Sequence, residues 1–335
     1  MKFRYPFFTL LVFLSACRNK DPNTSENPTL FGPSPNTIAA SPSPSPSPPS
    51  PSPSPSPSPS PSPSPSPIGH DELSPDTQTL QRIYWGNEAQ QYADLYLPQG
   101  EGPFPTIVMI HGGCWSASWS LSLQSRLSEA FRQKGYTVWN IEYRRMGNGG
   151  QWPQMFIDVH LATEYLLELN EPKVDLSNVV SIGHSAGGHL ALWLASRSSI
   201  EPGSVLSSTV NLPIKAAISL AGIPDLTQAA CGNELQIIDG INLSDNELQQ
   251  RLNQSSPIDM LPIQAPSLLI SGSEDSLSTE ELNQAYAAKA TSLGSSSEYI
   301  LIDRADHFFV IDPAIINTTN LDEKIRQLLL ETKQQ

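Results

Sequence analysis

From residue 80 onward the hydrophobic pattern switches between two periods. Leu80 to Trp85 and Tyr92 to Leu97 alternate apolar and polar positions, which predicts an opening pair of strands. Thr106 to Ile110 is a short, continuous apolar run and predicts a buried strand. Leu121 to Lys134 has helical spacing and stops at Gly135. Thr137 to Tyr143 predicts the next strand, and a helix opens at Trp152-Pro153 and runs to about Asn170. Pro153 falls in its first turn, where a missing amide donor costs nothing. Strand Val179 to Gly183, helix Gly187 to Arg197 and strand Ala216 to Ala221 follow. Residues 224–260 lack strand signal and predict an insert or cap. Ser267 to Ser271 and Tyr299 to Ile302 predict strands, Thr279 to Leu293 and Thr319 to Leu330 helices. Short apolar strands alternating with amphipathic helices predict an α/β fold, a mostly parallel sheet covered on both faces.

Before residue 80 the pattern is different. Met1-Lys2-Phe3-Arg4 is a basic start, and Tyr5 to Leu14 is an apolar stretch too short to span a bilayer. Leu14-Ser15-Ala16-Cys17 resembles a bacterial lipobox, which makes residues 1–16 a signal peptide and Cys17 the lipidated N-terminus. The alternative is an ordinary signal peptide with Cys17 incidental. Arg18, rather than an aspartate, follows the cysteine and favours the outer membrane. Residues 17–77 are expected to be a disordered tether. Residues 41–67 are almost pure Ser-Pro, with no apolar side chains and half their amide donors missing. Extended as polyproline II, that tract spans about 80 Å. The domains predicted are thus signal peptide, tether, and a folded unit over residues 78–335. The protein is expected to be exported and anchored in the envelope by its N-terminal lipid.

The net charge is −14, and most of it sits on the folded unit. The first 77 residues carry four basic and five acidic side chains, which leaves 15 and 28 for the rest. An acidic domain argues against nucleic-acid partners. With Cys17 lipidated, Cys114 and Cys231 remain as a candidate disulfide in an oxidising compartment; two separate thiols are the alternative. No His, Cys or acid cluster has metal-ligand spacing, and no cofactor is expected. His70, His160 and His189 are expected to be solvated or structural.

The candidate chemistry centres on Gly183-His184-Ser185-Ala186-Gly187, which lies between an apolar strand and an apolar helix. This strand–turn–helix context lifts a serine hydroxyl to where a base and a carbonyl can both reach it. Three further segments supply its partners. His307, past the last strand, is the candidate base. Asp275, in Ser273-Glu274-Asp275, is the candidate orienting acid, with Glu274 its main rival and Asp306 a weaker one. His111-Gly112-Gly113-Cys114 is the candidate oxyanion loop, with the N–H groups of Gly113, Cys114 and Ala186 as donors. Trp115, Trp152 and Phe308 are candidate pocket residues, with Trp119 and Phe309 also flanking motif residues. One arginine of Tyr143-Arg144-Arg145 has the chemistry to meet a substrate carboxylate, but neither is assigned to binding.

These segments, with Gly272-Ser273-Glu274-Asp275 and His307-Phe308, resemble the α/β-hydrolase superfamily. The branch is that of hormone-sensitive-lipase-like esterases, bacterial feruloyl and acetylxylan esterases and kynurenine formamidase. The resemblance implies an α/β-hydrolase fold and hydrolysis of carboxylic esters or amides; Gly-Gly-Cys-Trp departs from the three glycines of the usual loop. The leading expectation is a serine esterase acting on small-molecule or polysaccharide-linked esters. An arylformamidase and a non-catalytic binding module on the same fold are the alternatives.

Overall fold

The computed structural model describes residues 80–332. The signal segment, Cys17, His70 and the Ser-Pro tract lie outside the described residues. Eight strands form one sheet: β1 (Leu80–Tyr84), β2 (Tyr92–Tyr96), β3 (Phe104–Ile110), β4 (Thr137–Ile141), β5 (Val174–His184), β6 (Ala216–Leu220), β7 (Ser267–Gly272) and β8 (Ser297–Ile302). Their order is β1-β2-β4-β3-β5-β6-β7-β8. β1 and β2 are antiparallel to each other, as are β2 and β4; every later pairing is parallel. The chain therefore has an α/β-hydrolase fold.

The helices are α1 (Ser125–Gln133), α2 (Gln154–Glu164), α3 (Ala186–Ala195), α4 (Glu234–Ile237), α5 (Asp245–Leu252), α6 (Glu280–Ser292), α7 (Ile315–Thr318) and α8 (Leu321–Glu331). Side chains alternate across a strand, so one apolar run serves two cores. In β3, Val108 and Ile110 join a core with α2, α3 and the insert, whereas Ile107 and Met109 join one with α1 and α8. Burial on both faces explains why β3 reads as a continuous apolar run.

Element ends differ from the pattern in instructive ways. β5 begins at Val174, five residues before the apolar run, because its polar start pairs with Phe104 and Pro105 on β3. The predicted helix from Leu121 opens as a 3-10 turn before α1, and α2 ends at Glu164, with a 3-10 turn at Tyr165–Leu167.

The insert between β6 and β7 carries α4 and α5 and no strand. Ser244 caps α5 in a reciprocal capping box with Glu247. Among the links that tie the insert to the body, three meet the loop after β3 and the start of the α2 segment. Cys231 is disulfide-bonded to Cys114, the Asn233 amide donates to the Cys114 carbonyl at 2.9 Å, and the Arg251 guanidinium lies 4.5 Å over the Trp152 ring. The disulfide closes a loop of 117 residues, and crosslinks of this kind contribute about 2–5 kcal/mol. Cys231→Ser is expected to lower the unfolding midpoint by on the order of 10 °C. Calorimetry with and without reductant checks this: an unchanged midpoint for both reduced and substituted protein would count against the link.

Candidate active site

Ser185 stands between β5 and α3 with φ 54 and ψ −121, left-handed backbone at a non-glycine residue. Strain of this kind persists only where the surroundings fix it. Its own N–H donates to the Leu220 carbonyl at the end of β6 (2.8 Å), and its carbonyl accepts from His189 (3.1 Å). The turn is tight enough to exclude side chains on both flanks. A Cβ on Gly183 would lie 2.0 Å from the Gly187 carbonyl oxygen, and one on Gly187 would lie 2.0 Å from that of Ile110. Both glycines of the motif are therefore steric requirements of the elbow.

The Asp275 and His307 loops follow β7 and β8. The Asp275 Oδ2 atom lies 2.7 Å from His307 Nδ1, and Oδ1 accepts from the N–H groups of Leu277 and Ser278 (2.9 and 3.0 Å). Burial opposes the charged form of Asp275, but the bonds from His307 and the two amides outweigh it and hold its pKa below the ordinary value. A carboxylate accepts only, so Nδ1 carries the proton and Nε2 of the neutral ring is the basic nitrogen. The rival acids are occupied elsewhere or exposed. Asp306 accepts from the Phe308 and Phe309 amides, and Glu274 faces solvent. Among the described residues no hydrogen bond joins the Ser185 hydroxyl to His307; in free enzymes such bonds are often long and tighten only with substrate.

His184 was not singled out by sequence. Its ring packs 4.7 Å from that of His307, and its Nε2 lies 2.8 Å from the His307 carbonyl oxygen. Full burial, reinforced by neighbouring His307, pushes its pKa down to about 3. The neutral ring therefore donates Nε2–H to that carbonyl. The residue preceding the serine thus grips the backbone of the candidate base. Its only sequence signal is its place inside the Gly-x-Ser-x-Gly motif.

The loop after β3 turns left-handed at three successive residues, Gly113, Cys114 and Trp115, with φ 111, 50 and 52. Only glycine fits at 113, because a Cβ there would lie 2.3 Å from the Trp119 ring. The N–H groups of Gly113, Cys114 and Ala186 donate no hydrogen bond to any described residue. Beneath the loop sits a buried charge cluster. Arg145 is ion-paired with Glu142 and donates to the carbonyls of Tyr143, Ser116 (3.2 Å) and Trp119 (2.9 Å). The Glu142 Oε2 atom accepts from the Leu121 amide at 2.9 Å, and Oε1 lies 3.3 Å from His111 Nε2. Burial alone would raise Glu142, but His111, Arg145 and the Leu121 amide bring it to about 2. Arg144 is paired with Asp158 at 2.7 Å. Both arginines are structural.

The candidate pocket residues separate. Trp115 is a correction: its ring is wholly buried and packs edge-on against His189, so it is core. The left-handed turn carries its side chain inward, a direction that spacing does not reveal. Trp152 is half-buried between Phe156 and Arg251 at the root of the insert. Phe308 stands 48 % exposed beside His307 and stacks on Trp119, itself 43 % exposed. His160 and His189 are buried, and the His189 Nε2 atom bonds the Ser255 carbonyl at 2.8 Å. No His, Cys, Asp and Glu group among the described residues has the arrangement to hold a metal ion.

Comparison with known proteins gives a consistent picture. The BD-FAE family matches residues 93–289. A kynurenine formamidase from Danio rerio is 24 % identical over 243 residues, covering 71 % of this chain and 78 % of its own length. Esterase FrsA of Enterobacter sp. (strain 638) is 27 % identical over 166 residues, 48 % of this chain and 38 % of the relative. Among solved structures, a truncated carbohydrate esterase from gut microbiota superposes with a TM-score of 0.64 at 18 % identity. It covers 75 % of this chain and 98 % of that one. Esterase B of Lactobacillus rhamnosis gives 0.64 at 21 % identity, over 76 % and 87 %.

Burial also sets an acid limit. His160, His184 and His189 have folded pKa values of about 3, 3 and 4, against 6.5 for the free side chain. The unfolded chain therefore binds more protons below pH 6.5, so stability from these neutral rings is lost as pH falls from about 6.5 toward 4. Glu142 and Asp275, lowered from carboxylate values, extend the loss below about pH 4.5. The unfolding midpoint is expected to be level near pH 7–8 and to drop between pH 6.5 and 4, less steeply in His189→Gln. A midpoint that rises on acidification would mean that these rings are charged in the folded state.

Proposed function

Because the chain belongs to the BD-FAE family, we propose that it is a serine hydrolase cleaving carboxylic esters through an acyl-enzyme on Ser185. The observation that carries this reading is the 2.7 Å Asp275–His307 hydrogen bond beside a left-handed serine elbow. Asp275 fixes the tautomer that leaves His307 Nε2 basic. As the Ser185 oxygen attacks the ester carbonyl, Nε2 takes its proton and Asp275 stabilises the imidazolium. The N–H groups of Gly113, Cys114 and Ala186 receive the oxyanion. The imidazolium then protonates the leaving alcohol, and His307 activates water to release the acid. His184 holds the backbone of the base in register throughout.

The exposed Trp119–Phe308 stack, against the loop on one side and His307 on the other, is the surface for the substrate's flat or apolar part. It favours aryl esters or acyl groups carried on polysaccharide. An arylformamidase is the second reading, supported by the likeness to kynurenine formamidases; the same residues would then attack an amide carbonyl. A non-catalytic role fits poorly with a paired Asp275 and His307. We further propose that the enzyme is exported and tethered to the envelope through lipidated Cys17; the Cys114–Cys231 disulfide suits an oxidising compartment.

Ser185→Ala is expected to abolish p-nitrophenyl acetate hydrolysis with little change in unfolding midpoint. Asp275→Asn should cut kcat by about 10³–10⁴-fold. Undiminished turnover in Ser185→Ala would remove the mechanism; faster cleavage of N-formylkynurenine than of any ester would favour the second reading. Trp119→Ala should raise KM for aryl esters roughly threefold to tenfold while acetate esters change less.

A further inference from the structure

A cavity of about 480 Å³ lies between the segment after β4 and the insert. Its volume is within the range of small-molecule sites. Gln151, Trp152 and Met146 line one side; Gln236, Asp239 and Asn242 line the other. Among the described residues, the side chains of Gln151, Gln236, Asp239 and Asn242 bond to no other residue; all four are exposed to solvent at the recess. Four hydrated polar side chains thus rim one recess, open to exchange water for a ligand's hydroxyls. The three amides each offer a carbonyl acceptor and an NH₂ donor, and Asp239 adds an acceptor-only carboxylate. Indole and thioether supply apolar surface alongside.

Both sides of the recess are tied to the body of the domain. Arg251 stacks on Trp152 and donates to the Ile238 carbonyl at 2.6 Å, fixing the insert against the indole. Met146 exchanges backbone hydrogen bonds with the oxyanion loop, from its N–H to the Trp115 carbonyl and from the Ala117 N–H to its carbonyl, both 2.9 Å. The insert wall is joined to the same loop through Cys231 and Cys114.

We propose that this cavity is a binding site for a neutral saccharide. Neighbouring ring hydroxyls both donate and accept, which matches paired amides and a carboxylate, while the C–H face of a sugar suits the indole edge and thioether. The only charged lining residue is Asp239, and the folded unit is acidic, so a uronate is repelled. The site concerns recognition of an unesterified sugar and stands apart from the hydrolytic reading.

The test titrates the intact protein with xylotetraose, cellotetraose and tetragalacturonate, read by calorimetry and tryptophan fluorescence. Saturable binding of a neutral tetrasaccharide is expected, weakened at least about tenfold in Gln236→Ala/Asn242→Ala. The variant's unfolding midpoint, expected to match the parent's, shows that it has folded; Gln151→Ala serves as a second variant. No binding of either neutral sugar, binding unaffected in both variants, or tetragalacturonate binding at least as tightly would each overturn the proposal. An inactive enzyme that still binds sugar would sink the esterase reading alone; an active esterase without binding would sink this site alone.

Discussion

The left-handed backbone of Ser185 is the constraint on which the rest of the molecule depends. Placing a non-glycine residue there forces β5 to end abruptly and α3 to begin at once. That crossing works only if α3 comes down almost onto the backbone of β3. Gly187 against the Ile110 carbonyl is that contact, and it fixes β3 and β5 as neighbours at the centre of the sheet. The loop leaving β3 is then delivered beside the serine. The end of β6 enters the same junction by accepting the Ser185 N–H.

Parallel strands explain why the other parts converge. Each of β5, β7 and β8 finishes at the same edge, so loops distant in sequence meet there. Asp275 follows β7 and His307 follows β8, adjacent strands in the sheet, and a separation of 32 residues becomes a hydrogen bond. The aromatic stack belongs to this convergence, since Trp119 comes with the loop after β3 and Phe308 with that after β8.

Much of this was legible in sequence because it rests on local rules. The apolar strand before Gly183 and the apolar helix after Gly187 identify the elbow, since strand and helix periods are local. Choosing among Asp275, Glu274 and Asp306 is harder, because adjacent carboxylates differ only in where a turn points them. Trp115 shows the limit most clearly: as a neighbour of the candidate oxyanion loop it reads as a pocket residue, yet a left-handed turn buries it. The grip of His184 on the His307 carbonyl spans 123 residues and leaves no periodic trace. Arg145 beneath the loop is likewise invisible, because a strand-end arginine reads equally well as a ligand for an anion or as an internal brace.

That brace has an evolutionary corollary. Removing either Glu142 or Arg145 alone leaves the other as a buried ion with only neutral hydrogen-bond partners and His111 nearby, a costly change. Single exchanges at these two positions are therefore disfavoured relative to paired ones. Tolerance to substitution is accordingly lowest at the loop's foundation and greater toward its half-exposed rim, where Trp119 and Phe308 stand.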